Sequence, residues 1–164
     1  MPEQYHVRIE KERLVFSAAH FITFDGDVCE RLHGHNYHVA VEVHGPLDDN
    51  QYVIDFIALR DELQTLVEGL DHRMLLPTDH PTIQVVEQDA EVLVTHGQRR
   101  WVFPAGDCVL LPVANTTAEL LARYLGEQLL AALQKRLGTR PQLLQVSVDE
   151  CDGQWATCQL RSDS

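Results

Sequence analysis

Cys29-Glu30-Arg31-Leu32-His33-Gly34-His35 sets two histidines two residues apart, four residues after a cysteine. Residues i and i+2 of a β-strand share one face, so an extended chain here sends the imidazoles of His33 and His35 to one point in space. That is half of a metal site built on a strand. Cys29 adds an ionisable thiol four residues before the first histidine.

Working outward, residues 33–44 continue as a strand, with Val39, Val41 and Val43 on the parity of the two histidines, until Gly45-Pro46 ends it. Upstream, residues 5–20 read as a long strand. Val7, Ile9 and Lys11 share one parity and Leu14, Phe16, Ala18 and His20 the other, so a bulge or bend is expected near Lys11–Arg13. Residues 21–32, with Asp25-Gly26-Asp27, read as a loop.

Downstream, Phe56, Leu59, Leu63, Leu66, Val67 and Leu70 recur at helical spacing, and Asp55 is a suitable N-cap for a helix over 56–70. A second helix is predicted over about 117–137. Thr116 and Glu119 form a capping-box pattern, Gly138 and Pro141 mark the end, and Leu120, Tyr124, Leu125, Leu129, Leu133 and Leu137 form the stripe. Two strands close the chain, about 142–150 and 154–161, around Asp152-Gly153, the preferred type I′ hairpin pair. An extra region lies between Pro77 and Asn115: Glu91–Thr95 and Arg100–Phe103 suggest a hairpin around His96-Gly97, and Cys108–Leu111 a short strand. Tyr37 and Phe56 are expected in the core.

The chain has 164 residues, 45% hydrophobic and 23% charged, which suits one soluble domain with a real core. Its net charge of −12 disfavours nonspecific nucleic-acid binding. No apolar run approaches the roughly 20 residues that span a bilayer. The first residues lack the basic and apolar regions of a signal peptide, so the expected compartment is the cytoplasm. Cys29, Cys108, Cys151 and Cys158 form no CxxC and are read as thiols.

Three histidines with one open position make the usual catalytic zinc set. His33 and His35 supply two, and His20, ending the first strand across a loop, fits as the third. Imidazole donors suit zinc, although copper, nickel or iron share them. His6, His44, His80 and His96 are expected at the surface, and His38 on the strand face opposite His33 and His35. Cys29 has two readings: a fourth ligand closing a structural site, or a reactive thiolate beside the metal, its pKa lowered by the cation and by Arg31.

These residues resemble the 6-pyruvoyltetrahydropterin synthase family. Phe16-Ser-Ala-Ala-His20 and Cys29-Glu-Arg-Leu-His33-Gly-His35-Asn-Tyr37 carry the likeness, followed in order by Val53-Ile-Asp55-Phe56, Leu70-Asp71-His72, Thr116-Thr-Ala-Glu119 and Val148-Asp-Glu150. Two positions depart from the pattern: Thr116, where proline is common, and Leu76, where asparagine is common after L-D-H-x-x-L. The resemblance implies an α+β tunnelling fold (T-fold) in the order ββααββ, a four-stranded antiparallel sheet with two helices on one face. It implies one such domain over 1–164; the hairpin-like insertion at about 78–114 is the larger departure from the family pattern and would lid the pocket or enlarge a subunit contact. It implies zinc on His20, His33 and His35, Cys29 as general base with Asp71 and His72 as a proton relay, and Glu150 anchoring a pterin with Thr117 beside it. It further implies hexamers, as dimers of trimers, with active sites between subunits. The bacterial branch makes 6-carboxy-5,6,7,8-tetrahydropterin from 7,8-dihydroneopterin triphosphate, releasing triphosphate and acetaldehyde, for queuosine synthesis. The sibling reaction stops at 6-pyruvoyltetrahydropterin, and a non-enzymatic pterin or zinc binder of the same fold is the third reading.

Overall fold

The computed structural model describes residues 2–162. The chain runs β1 (Tyr5–His20), β2 (Thr23–Phe24), β3 (Val28–Cys29), β4 (His33–Gly45), α1 (Phe56–Leu70), β5 (Arg73–Pro77), β6 (Gln84–Gln88), β7 (Glu91–His96), β8 (Arg99–Pro104), β9 (Cys108–Leu111), α2 (Ala118–Leu137), β10 (Leu143–Cys151) and β11 (Gln154–Arg161).

The main sheet has the order β11-β10-β4-β1-β5-β9. Its first four strands are the expected antiparallel set. The other two are additions: β5 joins β1 in parallel, and β9 joins β5 in parallel. The sheet therefore has six strands where four were expected. The insertion is also more than a hairpin, because β6, β7 and β8 form a separate three-stranded sheet. The physical reason is a second core. Met74 and Leu76 of β5 point into a cluster with Phe21, Ile83, Val92 and Val94, while Leu75 between them points into the main core. A strand apolar on both faces shows no alternation and is hard to read as one.

The expected irregularity in β1 is present. Its pairing with β4 shifts between Glu10 and Val15, which brings Ile9, Leu14 and Phe16 to the same buried face. Both helices cover that face, α1 over β1 and α2 over β10 and β11. Asp55 caps α1, accepting from the N–H groups of Ile57 and Ala58. Gly138, in the left-handed region at φ 73°, ends α2. The cap of α2 is Thr117, which accepts from Leu120 N–H, one residue later than the capping-box pattern suggests. Thr116 is instead buried, with its hydroxyl donating to the Phe21 carbonyl. Leu121 takes the buried place expected of Leu120, and Phe56 is 52% exposed, while Tyr37 is fully buried against Phe16. In the closing hairpin only Gly153 has a positive φ, so the turn is not type I′. The Asp149 carboxylate holds that turn by accepting from Gly153 and Gln154 N–H.

Candidate metal centre and active site

His20 pairs with His33 across β1 and β4, and Ala18 with His35. All three imidazoles therefore lie on the helix-facing side of the sheet at one end. A Cβ on Gly34 would stand 3.0 Å from the Ala18 carbonyl oxygen, so a glycine between the histidines lets the strands close. The ligand atoms of His20, His33, His35 and Glu150 lie within 4.8 Å of one another. The ring planes of the three imidazoles stand at 70°, 80° and 89° to one another.

Backbone carbonyls orient two of the rings. His20 Nδ1–H donates to the Thr116 carbonyl at 2.8 Å, and His33 Nδ1–H to the Arg31 carbonyl at 2.8 Å. Both Nε2 lone pairs are left facing the cluster, because a carbonyl that takes the Nδ1 proton fixes the tautomer and ring orientation a metal-bound histidine needs. Burial pushes the His20 pKa down to about 4, so this ring is neutral near pH 7. Its Nε2 is buried without a hydrogen-bond partner among the described residues, as is the Tyr37 hydroxyl beneath the cluster. A buried unpaired polar atom costs roughly 1–3 kcal/mol. His33 Nε2 and His35 Nε2 stand 2.9 Å apart, a hydrogen bond when His35 carries its proton on Nε2. A divalent cation would pair the buried His20 Nε2 and take the place of that proton, and the donor set fits one.

Glu150 continues the helix-side parity of Val146 and Val148, at the register shift between Asp149 and Cys151. Its Oε1 lies 3.3 Å from His35 Nε2. The Cys29 thiol stands outside the group. Its contact is the Glu30 carbonyl at 3.5 Å, and it packs under the second core. Burial pushes its pKa up, and the cation that opposes this is Arg99, not Arg31.

Glu30, to which the sequence reading gave no role, lies beside the cluster without joining its four-residue group. Its Oε1 accepts from Ile22 N–H at 2.8 Å and lies 3.7 Å from His33 Nε2 and 4.0 Å from His20 Nε2. The available signal was position: the residue after Cys29 turns the opposite way from it on an extended chain.

Asp71 and His72 are brought together by the end of α1. The Asp71 carboxylate accepts from Ser17 N–H at 2.8 Å and pairs with His72 Nδ1 at 2.8 Å. The Ser17 bond is the largest cause holding the Asp71 carboxyl below its usual range. His72 adopts φ 56°, a left-handed conformation uncommon outside glycine, and its imidazole is 82% exposed. It lines an open cleft of about 570 Å³ with Ser17, Asn36, Phe103 and Asp107, and His35 borders the same space. Ser17 and Asn36 have the parity opposite to His20 and His33. Among the described residues, no hydrogen bond joins Asp71 or His72 to Cys29 or to the histidine cluster. The Thr117 hydroxyl sits at the α2 N-terminus as a cap.

A second group, His6, Glu42 and His44, lies on the open face of the sheet. Arg8 already pairs with Glu42 there, so we read it as a cross-strand ion-pair ladder.

The model of the 6-pyruvoyl tetrahydropterin synthase family matches residues 8–161. The chain belongs to this family. A Methanocaldococcus jannaschii protein provisionally assigned as a 6-carboxy-5,6,7,8-tetrahydropterin synthase is 31% identical over 144 residues, covering 87% of this chain and 88% of the relative. A dihydroneopterin monophosphate aldolase of Pyrococcus furiosus is 37% identical over 73 residues, 44% of this chain and 61% of the relative. Among solved structures, a catalytic-residue mutant of the 6-pyruvoyltetrahydropterin synthase of Plasmodium vivax superposes with a TM-score of 0.90 at 27% identity, covering 98% of this chain and all of that one. The region after Pro77 thus has a counterpart in another family member. Family enzymes are lyases acting on pterins, and the His/Glu cluster is a candidate metal site in this member.

Proposed function

We propose that the protein is a zinc-dependent lyase that converts 7,8-dihydroneopterin triphosphate and water to 6-carboxy-5,6,7,8-tetrahydropterin, triphosphate and acetaldehyde. The observation that carries this reading is the convergence of three imidazole nitrogens and a carboxylate at the end of a sheet, in a chain whose curated relatives include carboxytetrahydropterin synthases. His20, His33 and His35 would hold the zinc, which when bound would polarise the side-chain oxygens of the substrate and acidify the neighbouring C–H.

The remaining roles fall to this chain's own groups. The pterin presents a ring N–H beside an exocyclic amine, and a carboxylate accepts both as a fork, which suits Glu150, with the Thr117 hydroxyl offered nearby. Cys29, as the thiolate, takes the C–H proton. Asp71 orients His72, which returns a proton further along the side chain. His72 is exposed and, among the described residues, makes no hydrogen bond to its own histidine cluster, which supports a site shared between copies in a barrel-forming homohexamer. Four free thiols accord with a cytoplasmic setting.

One observation favours a second reading. The Glu30 carboxylate is at the cluster while the Cys29 thiol is turned under the second core. With Glu30 as base, the reaction is an aldol cleavage. The carboxylate takes the C2′ hydroxyl proton, the C1′–C2′ bond breaks with its electrons passing into the ring C6=N5 bond, and C1′ is reprotonated, leaving 6-hydroxymethyldihydropterin and glycolaldehyde triphosphate.

Product analysis with dihydroneopterin triphosphate on zinc-loaded protein decides between them. Acetaldehyde and triphosphate support the carboxytetrahydropterin reading, and glycolaldehyde triphosphate the aldol one. A 6-pyruvoyl product alone would sink both.

A further inference from the structure

The strand region after Pro77 touches the loop that carries Cys29 and Glu30 at three places. His80 Nε2 meets Thr23 Oγ1 at 2.7 Å. His96 Nε2 meets Asp27 Oδ1 at 2.9 Å, and the Thr82 hydroxyl donates to the same oxygen. Arg99, at the start of β8, donates from Nη1 to the Cys29 carbonyl at 2.8 Å and to the Glu30 carbonyl at 3.2 Å. These contacts join segments some 55–70 residues apart in sequence.

Arg99 is itself held. Its guanidinium carbon lies 4.7 Å from the centre of the Trp101 ring, and Trp101 stacks on Phe21 with 4.4 Å between centroids. Phe21 follows directly on His20. One guanidinium nitrogen bridges two successive carbonyls while the planar cation rests on an aromatic face, which restrains both peptide planes; a lysine can offer a single nitrogen but not the planar stack that holds it in place. The two residues whose carbonyls it takes are the two candidate bases.

We propose that the region after Pro77 is a brace for the base-bearing loop, and that Arg99 is a positioning residue that sets where Cys29 and Glu30 stand relative to the histidine cluster. This rests on the reading of that pair as the source of the base. It adds a third role for the region to the two expected of it, a lid and an enlarged subunit contact. Misplacing a reacting group by about 1 Å can lower turnover by roughly 100-fold without touching substrate.

The experiment compares Arg99→Ala and Arg99→Lys with the parent protein, each zinc-loaded, measuring kcat, KM, bound zinc and the circular-dichroism spectrum. The expected result is a kcat reduced roughly 10–100-fold in Arg99→Ala, with KM and zinc content held within about twofold. Arg99→Lys should recover only part, and millimolar guanidinium should restore turnover to Arg99→Ala but not to Arg99→Lys. Should Arg99→Ala fail to fold, Arg99→Lys, which keeps charge and most of the length, carries the test through the same kcat-against-KM split. Unchanged kcat in the folded Arg99 variants overturns the proposal, as does a loss that tracks the unfolded fraction. Glu30→Gln and Cys29→Ala are measured alongside. If both keep full turnover, the base reading has failed and the brace proposal falls with it, a pattern distinct from loss in that pair with Arg99 silent.

Discussion

His20 Nδ1 donates to the carbonyl of Thr116 at 2.8 Å, joining the end of β1 to the residue before the α2 cap across 96 positions of sequence. That bond sets the tautomer of the buried imidazole and leaves its Nε2 as the donor atom facing His33 and His35. Helix α2 thus acts on the candidate metal centre through one backbone oxygen.

Replacing any one of His20, His33 or His35 with alanine should remove bound metal. The loss of affinity should exceed the roughly 10–100-fold typical of losing a supporting partner. Metal content after gel filtration and competition with a chelating dye check this, independently of activity. Retention of metal by His20→Ala would move the centre elsewhere.

Metal-free protein should lose stability on mild acidification. His20 has a pKa of about 4 in the folded chain against 6.5 when unfolded. Above pH 6.5 the ring is neutral in both states and contributes no pH dependence. Between these values only the unfolded chain takes the proton, so stability falls by up to about 1.4 kcal/mol per pH unit, and below the folded value this term levels off. Urea unfolding of chelator-treated protein at several pH values measures the slope. His20→Gln should flatten it.

Cys29→Ala and Glu30→Gln should separate the two chemistries. Loss of the true base should lower kcat by roughly 10²–10⁴-fold with zinc retained. Carboxytetrahydropterin formation should fail in Cys29→Ala, and aldol cleavage in Glu30→Gln. Loss of zinc from Cys29→Ala would instead make the thiol a ligand, against its place outside the cluster.

Inactive subunits should complement one another. If His72 serves the cluster of a neighbouring copy, then remixing His72→Ala with His35→Ala subunits one to one should restore about a quarter of the parent activity, the share of sites that draw both intact halves from random neighbours. No recovery after exchange proven by native mass spectrometry would place His72 and the metal in one chain.

Much of the site was legible in residue order because strand parity is a local property. The alternation of β4 placed His33 and His35 together, the position of His20 at the end of the first strand across a loop marked it as the third, and Asp55 and Gly138 marked helix ends by their own side-chain and backbone chemistry. The two extra strands were not legible. Met74 and Leu76 are apolar because of a second core supplied by residues 83–94, and no local pattern announces a partner that distant. Thr116 matched a capping box but is held in the interior by Phe21 and His20, so the cap passed to Thr117.

By itself, the sequence determined that three imidazoles share a face, that an α+β chain of this family carries them, and that Asp71-His72 follows a helix. Only the tertiary structure decided which neighbour of His33 faces the cluster, Glu30 in place of Cys29, and that Arg99 holds both by their carbonyls. The reason is physical. Strand parity is set by successive residues, whereas the direction of a loop side chain is set by whatever packs against it, here a sheet 55–70 residues further along the chain.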